Sequence, residues 1–310
     1  MAYERPEIIR PPSEHDSYYL PLTSGCSNNS CTFCAFSFTN LGIRDLQDVK
    51  QEIDAMYLYM NNHIMVPGQP DIVYMILRRW NGKKLFLQDG DALVYPYPKL
   101  VETLQYLGQK FPYIERIASY ATPQDILRRS VDELKALKDL KLGILYMGVE
   151  SGDDEVLQGI RKGATHKQMV EAAKKVKESG ILLSVTVLLG LGGIKESQQH
   201  AMETARILTR IDPGYAGALT LTLIPGTPLY QSYERGDFNL ITPFTSLQEL
   251  KTIVENSDFS NCFFSSMHAS NYYAIRGTMP RDKGKIIKQL ENILASKDPA
   301  LLRPEFLRGL

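Results

Sequence analysis

Six predominantly apolar runs recur along the first 230 residues, at 18–22, 85–88, 114–119, 144–149, 181–189 and 218–224. Their lack of strict polar alternation predicts strands of a parallel sheet whose outer face is covered by helices. The stretches between them carry helical periodicity and end signals. Thr165-His-Lys-Gln168 reads as a capping box, followed by apolar Met169, Ala172, Ala173 and Val176 and stopped at Gly180. Ser130-Val-Asp-Glu133 opens a second helix carrying Leu134 and Leu137, and Val49, Ile53, Met56 and Met60 form the stripe of the first. Six strands, each followed by a helix, predict an α/β fold: a partial (β/α)6 TIM-like barrel rather than the complete eight-stranded one.

The fifth and sixth strands alternate in a way that bears on what the fold encloses. Ser184 and Thr186 share one face against Leu183, Val185 and Val187, and Thr220 and Thr222 oppose Leu219, Leu221 and Leu223. A period of two predicts leucines outward and hydroxyls inward, lining a cavity where a filled interior would carry bulky branched side chains. The alternative is that these hydroxyls are satisfied within a packed core. Residues 1–14 read as a tail, 15–236 as the core and 237–310 as a small C-terminal cap, with a helix at 285–294 and an extended segment near 261–265. The cap carries His268, Asn271, Tyr272 and Arg276, which could contact a substrate or anchor the cap. The insertion 61–80 has no evident role.

Composition narrows the function classes. Lysine plus arginine equals aspartate plus glutamate at 35 each, which removes any general attraction to nucleic acid. No run approaches the roughly 18 apolar residues of a membrane span, and the first residues lack the basic start and apolar stretch of a signal peptide. The expectation is a cytoplasmic protein acting on a small molecule, away from membranes.

The densest chemistry lies just after the first strand. Cys26, Cys31 and Cys34 fall within nine residues, and the only other cysteine, Cys262, is far downstream. Three crowded thiols argue against disulfides. A structural zinc site wants four ligands, and a [4Fe–4S] cluster normally takes four cysteines, so three leave an iron position open for a substrate. Zinc completed by Cys262 or a histidine remains the alternative on spacing alone. Cys262 itself reads as a buried apolar-type residue, or as a thiol carrying a radical or methyl group.

With the strand order added, residues 15–235 resemble the radical S-adenosylmethionine (SAM) superfamily, in its Elongator-subunit and methylthiotransferase-like branch. Most members space the cysteines C-x3-C-x2-C; this chain has C-x4-C-x2-C, with the aromatic before the last cysteine present as Phe33. Gln88-Asp-Gly-Asp91 stands in place of the family's Gly-Gly-Glu, so the resemblance implies that Asp89 or Asp91, with Gly90, receives the SAM amine. Gly148-Val-Glu-Ser-Gly152 is similar to the family's Gly-x-Glu-Ser-Gly, which assigns Glu150 and Ser151 to the ribose or methionine end. Arg161 is placed to pair with the SAM carboxylate. Leu189 and Gly190 after the fifth strand, and Ile224 and Pro225 after the sixth, would line the adenine. The spacing at 188–193 does not match a dinucleotide-binding Gly-x-Gly-x-x-Gly loop.

The resemblance implies a [4Fe–4S] cluster on Cys26, Cys31 and Cys34, SAM as cofactor, and an electron donor such as flavodoxin or ferredoxin. It implies reductive cleavage of SAM to methionine and a 5′-deoxyadenosyl radical, which abstracts hydrogen from a small polar substrate. Tyr120, Thr186, Thr222 and His268 are the candidate substrate contacts. A lone Cys262 argues against a cysteine-ligated second cluster. The rival readings are a zinc-stabilised barrel that binds a small ligand without turnover, and a SAM-dependent methyltransferase.

Overall fold

The computed structural model describes residues 5–36 and 39–309. The first four residues of the expected tail, and Leu310 at the end of the expected cap, lie outside the described residues. Eight strands form a mostly parallel sheet: β1 (Tyr18–Pro21), β2 (Lys84–Gln88), β3 (Arg116–Tyr120), β4 (Leu142–Glu150), β5 (Leu182–Leu189), β6 (Tyr215–Thr220), β7 (Cys262–Ser265) and β8 (Arg276–Met279), neighbours in that order. Between and after them run α1 (Leu46–Asn62), α2 (Asp71–Leu77), α3 (Tyr97–Lys110), α4 (Pro123–Arg128), α5 (Val131–Asp139), α6 (Asp154–Gly159), α7 (His166–Ser179), α8 (Gly193–Ile211), α9 (Pro228–Glu234), α10 (Pro243–Asn256) and α11 (Lys283–Ser296). Both predicted capping boxes are made. Ser130 and Glu133 satisfy each other's backbone N–H groups, and so do Thr165 and Gln168. The chain divides into two compact units: Met1–Asn29, Phe38–Tyr146 and Lys175–Leu182 in the first, and Ser30–Ser37, Met147–Lys174 and Leu183–Leu310 in the second.

In the first unit β1, β2, β3 and the start of β4 are parallel, with Tyr19 opposite Phe86, Phe86 opposite Ala118 and Ala118 opposite Ile144. Residues in register point to one face, so these four share it, and Tyr18, Leu20, Leu85 and Leu87 take the other. The second face is covered by α1, where buried Glu52 receives the Tyr18 hydroxyl at 2.6 Å and pairs with Arg5 and Arg44. The first face is not hollow. Tyr19, Phe86, Ala118, Ile144 and Tyr146 make a buried cluster, with Ile76 of α2 and Tyr120 packed on it. The chain's own early residues close over this face. Glu14 accepts from Tyr146 at 2.6 Å and pairs with Arg116, Lys84 pairs with Asp16, and the Gln88 amide donates to the Glu7 carbonyl at 2.7 Å. Glu14 is fully buried, and Arg116, Tyr146 and Ser17 all donate to its carboxylate.

In the second unit β5, β6 and β7 are parallel, and β8 returns antiparallel to β7. The sheet thus runs past the six expected strands, the extended segment near 261–265 becoming β7. The register also separates the hydroxyls expected to share an interior. Leu189 is opposite Thr220 and Val187 opposite Ala218, whereas Thr186 is opposite Gly217. Thr220 therefore lies on the buried face and Thr186, with Ser184, on the half-buried one. Thr220 tolerates burial because its hydroxyl donates to Asn271 Oδ1 at 2.9 Å. Its N–H goes to the Ser270 hydroxyl at 3.2 Å, and β6 ends there rather than continuing to Ile224.

Candidate active site

In the first unit, β1 leads into a short ribbon, Thr23–Ser24 paired with Gly42–Ile43, from which the cysteine-bearing segment departs. Gly25 turns the chain with φ +79°, and its N–H donates to Asp89 Oδ2 at 2.9 Å. The Asp89 N–H in turn donates to the Thr23 hydroxyl at 3.0 Å. The end of β2 is thereby fastened to the residue preceding half-buried Cys26. The Asp89 side chain is buried, and its Oδ1 accepts no hydrogen bond. Burial pushes this carboxyl up to about 6, against the pull of the Gly25 and Gly90 N–H groups. A carboxylate oxygen left bare in the interior costs about 1–3 kcal/mol, which a cationic donor would recover.

Asp91 likewise has a buried Oδ1 without a hydrogen-bond partner, but its Oδ2 is differently engaged. Ser27, next to Cys26, lies 2.5 Å from Asp91 Oδ2 and 2.6 Å from Asp125 Oδ2. One hydroxyl has one proton to donate, so one of the two carboxyls must itself be protonated. Asp91 is fully buried, and burial followed by the neighbouring Asp125 raises its pKa well above the usual range. Asp125 is also pushed up by burial, but hydrogen bonds from Asp91, Ser27 and Thr122, with the Arg128 charge, bring it below. The proton therefore sits on Asp91, and the pair fixes Ser27. Tyr120, at the end of β3, is packed against Phe86 and Tyr146 with ring centroids 5.1 and 6.1 Å away.

In the second unit, the segment bearing buried Cys31, half-buried Phe33 and half-buried Cys34 is held by its backbone. The Thr32 N–H donates to Ile160 and its carbonyl accepts from Leu229 at the start of α9, each at 2.9 Å, while Ser30 donates to the Arg161 carbonyl. Glu150 ends β4 in a left-handed conformation, φ 62°, and its carboxylate pairs with Lys162 at 2.9 Å. Lys162 is thus the cation at Glu150, and Arg161, the residue expected at the SAM carboxylate, is exposed.

The glycines of this segment have separate reasons. A Cβ on Gly148 would come within 2.0 Å of Glu150 Oε1, and one on Gly152 within 2.0 Å of the Glu203 carbonyl in α8. Gly152→Ala should therefore lower stability by about 1–3 kcal/mol, since main chain must move to admit it. A thermal melt checks this, and an unchanged midpoint would refute the close approach.

Two further buried groups in the second unit, His200 and Glu249, are not legible in the sequence. Ser151 meets His200 Nδ1 at 2.8 Å, and His200 Nε2 donates to the Leu188 carbonyl at 3.0 Å. This tautomer agrees with burial, which pushes the imidazole down to about 4 and keeps it neutral. Glu249 of α10 accepts from the Gly190 N–H at 2.7 Å and from Ser197 at 2.6 Å, and burial pushes it up to about 7. These groups fix the turns after β4 and β5 that carry Ser151, Leu189 and Gly190. They lie on α8 and α10, where isolated polar letters in amphipathic helices read as surface.

The remaining candidates fall as follows. Ile224 and exposed Pro225 follow β6, and the buried Thr222 hydroxyl oxygen has no hydrogen-bond partner. His268 Nδ1 lies 3.0 Å from the Ser270 hydroxyl, and burial, then Arg303, lowers its pKa. Asn271 also donates to the Ala218 and Ser266 carbonyls, and Tyr272 donates to Glu305, so both anchor the C-terminal segment. Cys262 is fully buried, with a thiol pushed up to about 12 by burial, which favours the packing reading.

Among the described residues no three His, Cys, Asp or Glu side chains are gathered as a metal-holding group. The donor chemistry is nonetheless selective. Residues 25–36 contain three cysteines and no histidine, aspartate or glutamate, a purely sulfur set of the kind iron–sulfur clusters take.

A family model described as the radical SAM superfamily matches residues 20–208. The chain is similar to the heme chaperone HemW of Bacillus subtilis, 23% identical over 79% of this chain and 64% of that protein. It is also similar to the tRNA-2-methylthio-N(6)-dimethylallyladenosine synthase of Bordetella avium, 22% identical over 93% of this chain and 58% of that one. It thus spans less than two thirds of either relative. Among solved structures, it shares its fold with the radical SAM methyltransferase TsrM from Kitasatospora setae, described with cobalamin and a [4Fe–4S] cluster bound. That match has a TM-score of 0.53 at 18% identity, covering 71% of this chain and 39% of the other.

Proposed function

The chain belongs to the radical SAM superfamily, and from that premise we propose that it cleaves SAM reductively and takes a hydrogen atom from a small polar substrate. Enzymes of this superfamily use a [4Fe–4S] cluster and SAM, and these are the cofactors of this chain. Cys26, Cys31 and Cys34 would hold the cluster, on the strength of their spacing and of a segment with only sulfur donors. Bound there, the cluster supplies the electron that splits SAM into methionine and a 5′-deoxyadenosyl radical.

The chain's own residues supply orientation. The observation that carries the reading is Asp89: a buried carboxyl with one bare oxygen, fastened to the residue before Cys26. That oxygen is the acceptor an ammonium needs, so Asp89, beside Gly90, is assigned to the SAM amine. Asp91 is assigned to holding Ser27. Glu150 and Ser151 are assigned to the ribose or methionine end, Arg161 to the carboxylate, and Leu189, Gly190, Ile224 and Pro225 to the adenine. Tyr120, Thr186, Thr222 and His268 are assigned to the substrate. Residues 15–236 form the catalytic core and 237–310 its cap in this reading. An electron donor such as flavodoxin or ferredoxin would serve it in the cytoplasm; no helix among the described residues is long and apolar enough to cross a membrane.

The test is a product assay. Anaerobically reconstituted, reduced protein given SAM should form 5′-deoxyadenosine slowly, and faster with its substrate, with deuterium passing from substrate to product. S-adenosylhomocysteine alone would point to ordinary methyl transfer, and colourless protein carrying one zinc would end the reading.

A further inference from the structure

A second recess lies in the first unit, at the opposite ends of β1 and β2 from Cys26 and Asp89. It is a cavity of about 410 Å³ between the segment leading into β1 and the helix α2 of the 61–80 insertion. That volume is within the usual range for small-molecule sites. Its wall is mixed, with Tyr19, Ile72, Ile76 and buried Trp80 on the apolar part and His15, Asp16 and Ser17 among the polar lining.

Its charge is one-sided. Arg10, Arg78 and Arg79 all reach it. The Arg10 guanidinium stands 5.9 Å from the Tyr19 ring centroid, and exposed Arg78 and Arg79 make no side-chain hydrogen bond or ion pair among the described residues. The carboxylate nearby is already taken, Asp16 being paired with Lys84 at 3.1 Å. The Tyr19 hydroxyl is used by the Glu14 and His15 carbonyls. Uncommitted cations lining a partly apolar recess attract an anion that carries a hydrophobic body.

We propose that this cavity binds a small amphiphilic anion, a carboxylate or phosphate monoester on an aliphatic or aromatic body, with Arg78 and Arg79 as its charge contacts. The site is independent of SAM cleavage. It gives the insertion 61–80 a purpose: α2 brings Ile72, Ile76 and the two arginines over the face that Tyr19 begins.

The chain contains a single tryptophan, Trp80, and it lines this cavity, so its emission reads occupancy directly. The full-length, cluster-reconstituted protein is titrated with octanoate, octyl phosphate, octanol and inorganic phosphate, following Trp80 emission and, in parallel, heat. Octanoate and octyl phosphate should each bind one to one with a saturable emission change. Octanol and inorganic phosphate should bind at least about tenfold more weakly, since each keeps only half of the recognition. The double variant Arg78→Ala/Arg79→Ala, both positions exposed, should keep its melting temperature and 5′-deoxyadenosine formation while losing at least about tenfold in affinity for both amphiphiles. The proposal is overturned by no saturable binding of either amphiphile by both readouts, by octanol or inorganic phosphate binding as tightly, or by an unchanged double variant. None of these results bears on the SAM reaction, which the product assay tests separately.

Discussion

Replacing any one of Cys26, Cys31 or Cys34 by alanine should leave the protein without stable iron and reduce 5′-deoxyadenosine to background. Residues 25–36 hold three cysteines and no histidine or carboxylate, so the segment has no fourth thiolate to replace a lost ligand. Groups that only support a metal ligand typically change affinity or activity about 10–100-fold, so deleting a ligand should exceed that. Cys262→Ala is the control. Its thiol is fully buried and resists ionisation, so iron content should stay near that of the parent chain. Iron and sulfide analysis of the four variants after anaerobic reconstitution checks this. Equal iron loss in Cys262→Ala would remove the three-ligand assignment.

The second large effect is expected at Asp89. Asp89→Asn should weaken SAM binding by about 2–5 kcal/mol, from tens of fold to several thousandfold, because a buried ammonium would lose its charged partner. Asp91→Asn should change SAM affinity far less. Asp91 already carries a proton, and a neutral amide keeps a donor where Ser27 and Asp125 need one. Calorimetric titration of SAM into each reconstituted variant separates the two acids, and the reverse ranking would exchange their roles.

What the sequence made legible depended on how local each signal was. Strand order, both capping boxes and the helical stripes are short-range patterns, and all of them appear in the structure. The phase of Thr220 was not legible. Alternation within a strand gives two faces but not which one is buried, and register with β5, together with Asn271 some fifty residues later, decides it. The Lys162 partner of Glu150 is not legible either, because twelve residues and the helix α6 separate the two in sequence. His200 and Glu249 were invisible because their partners are backbone groups of distant turns, Leu188 and Gly190. The filling of the first unit's inner face by residues 7–16 could not be read either, since a tail and a plug have the same composition.

The two glycines that frame Val149, Glu150 and Ser151 govern how descendants of this chain can diverge. A side chain at 148 would strike the tip of the Glu150 carboxylate and crowd the Lys162 ammonium, both of them ends of flexible side chains that can swing aside. A side chain at 152 would strike the main chain of Glu203, which no substitution elsewhere removes. A lineage could therefore replace the first glycine by re-aiming Glu150 and Lys162, but would keep the second. Loss of Gly148 is the cheaper of the two changes, since side-chain tips rather than main chain must move to admit it.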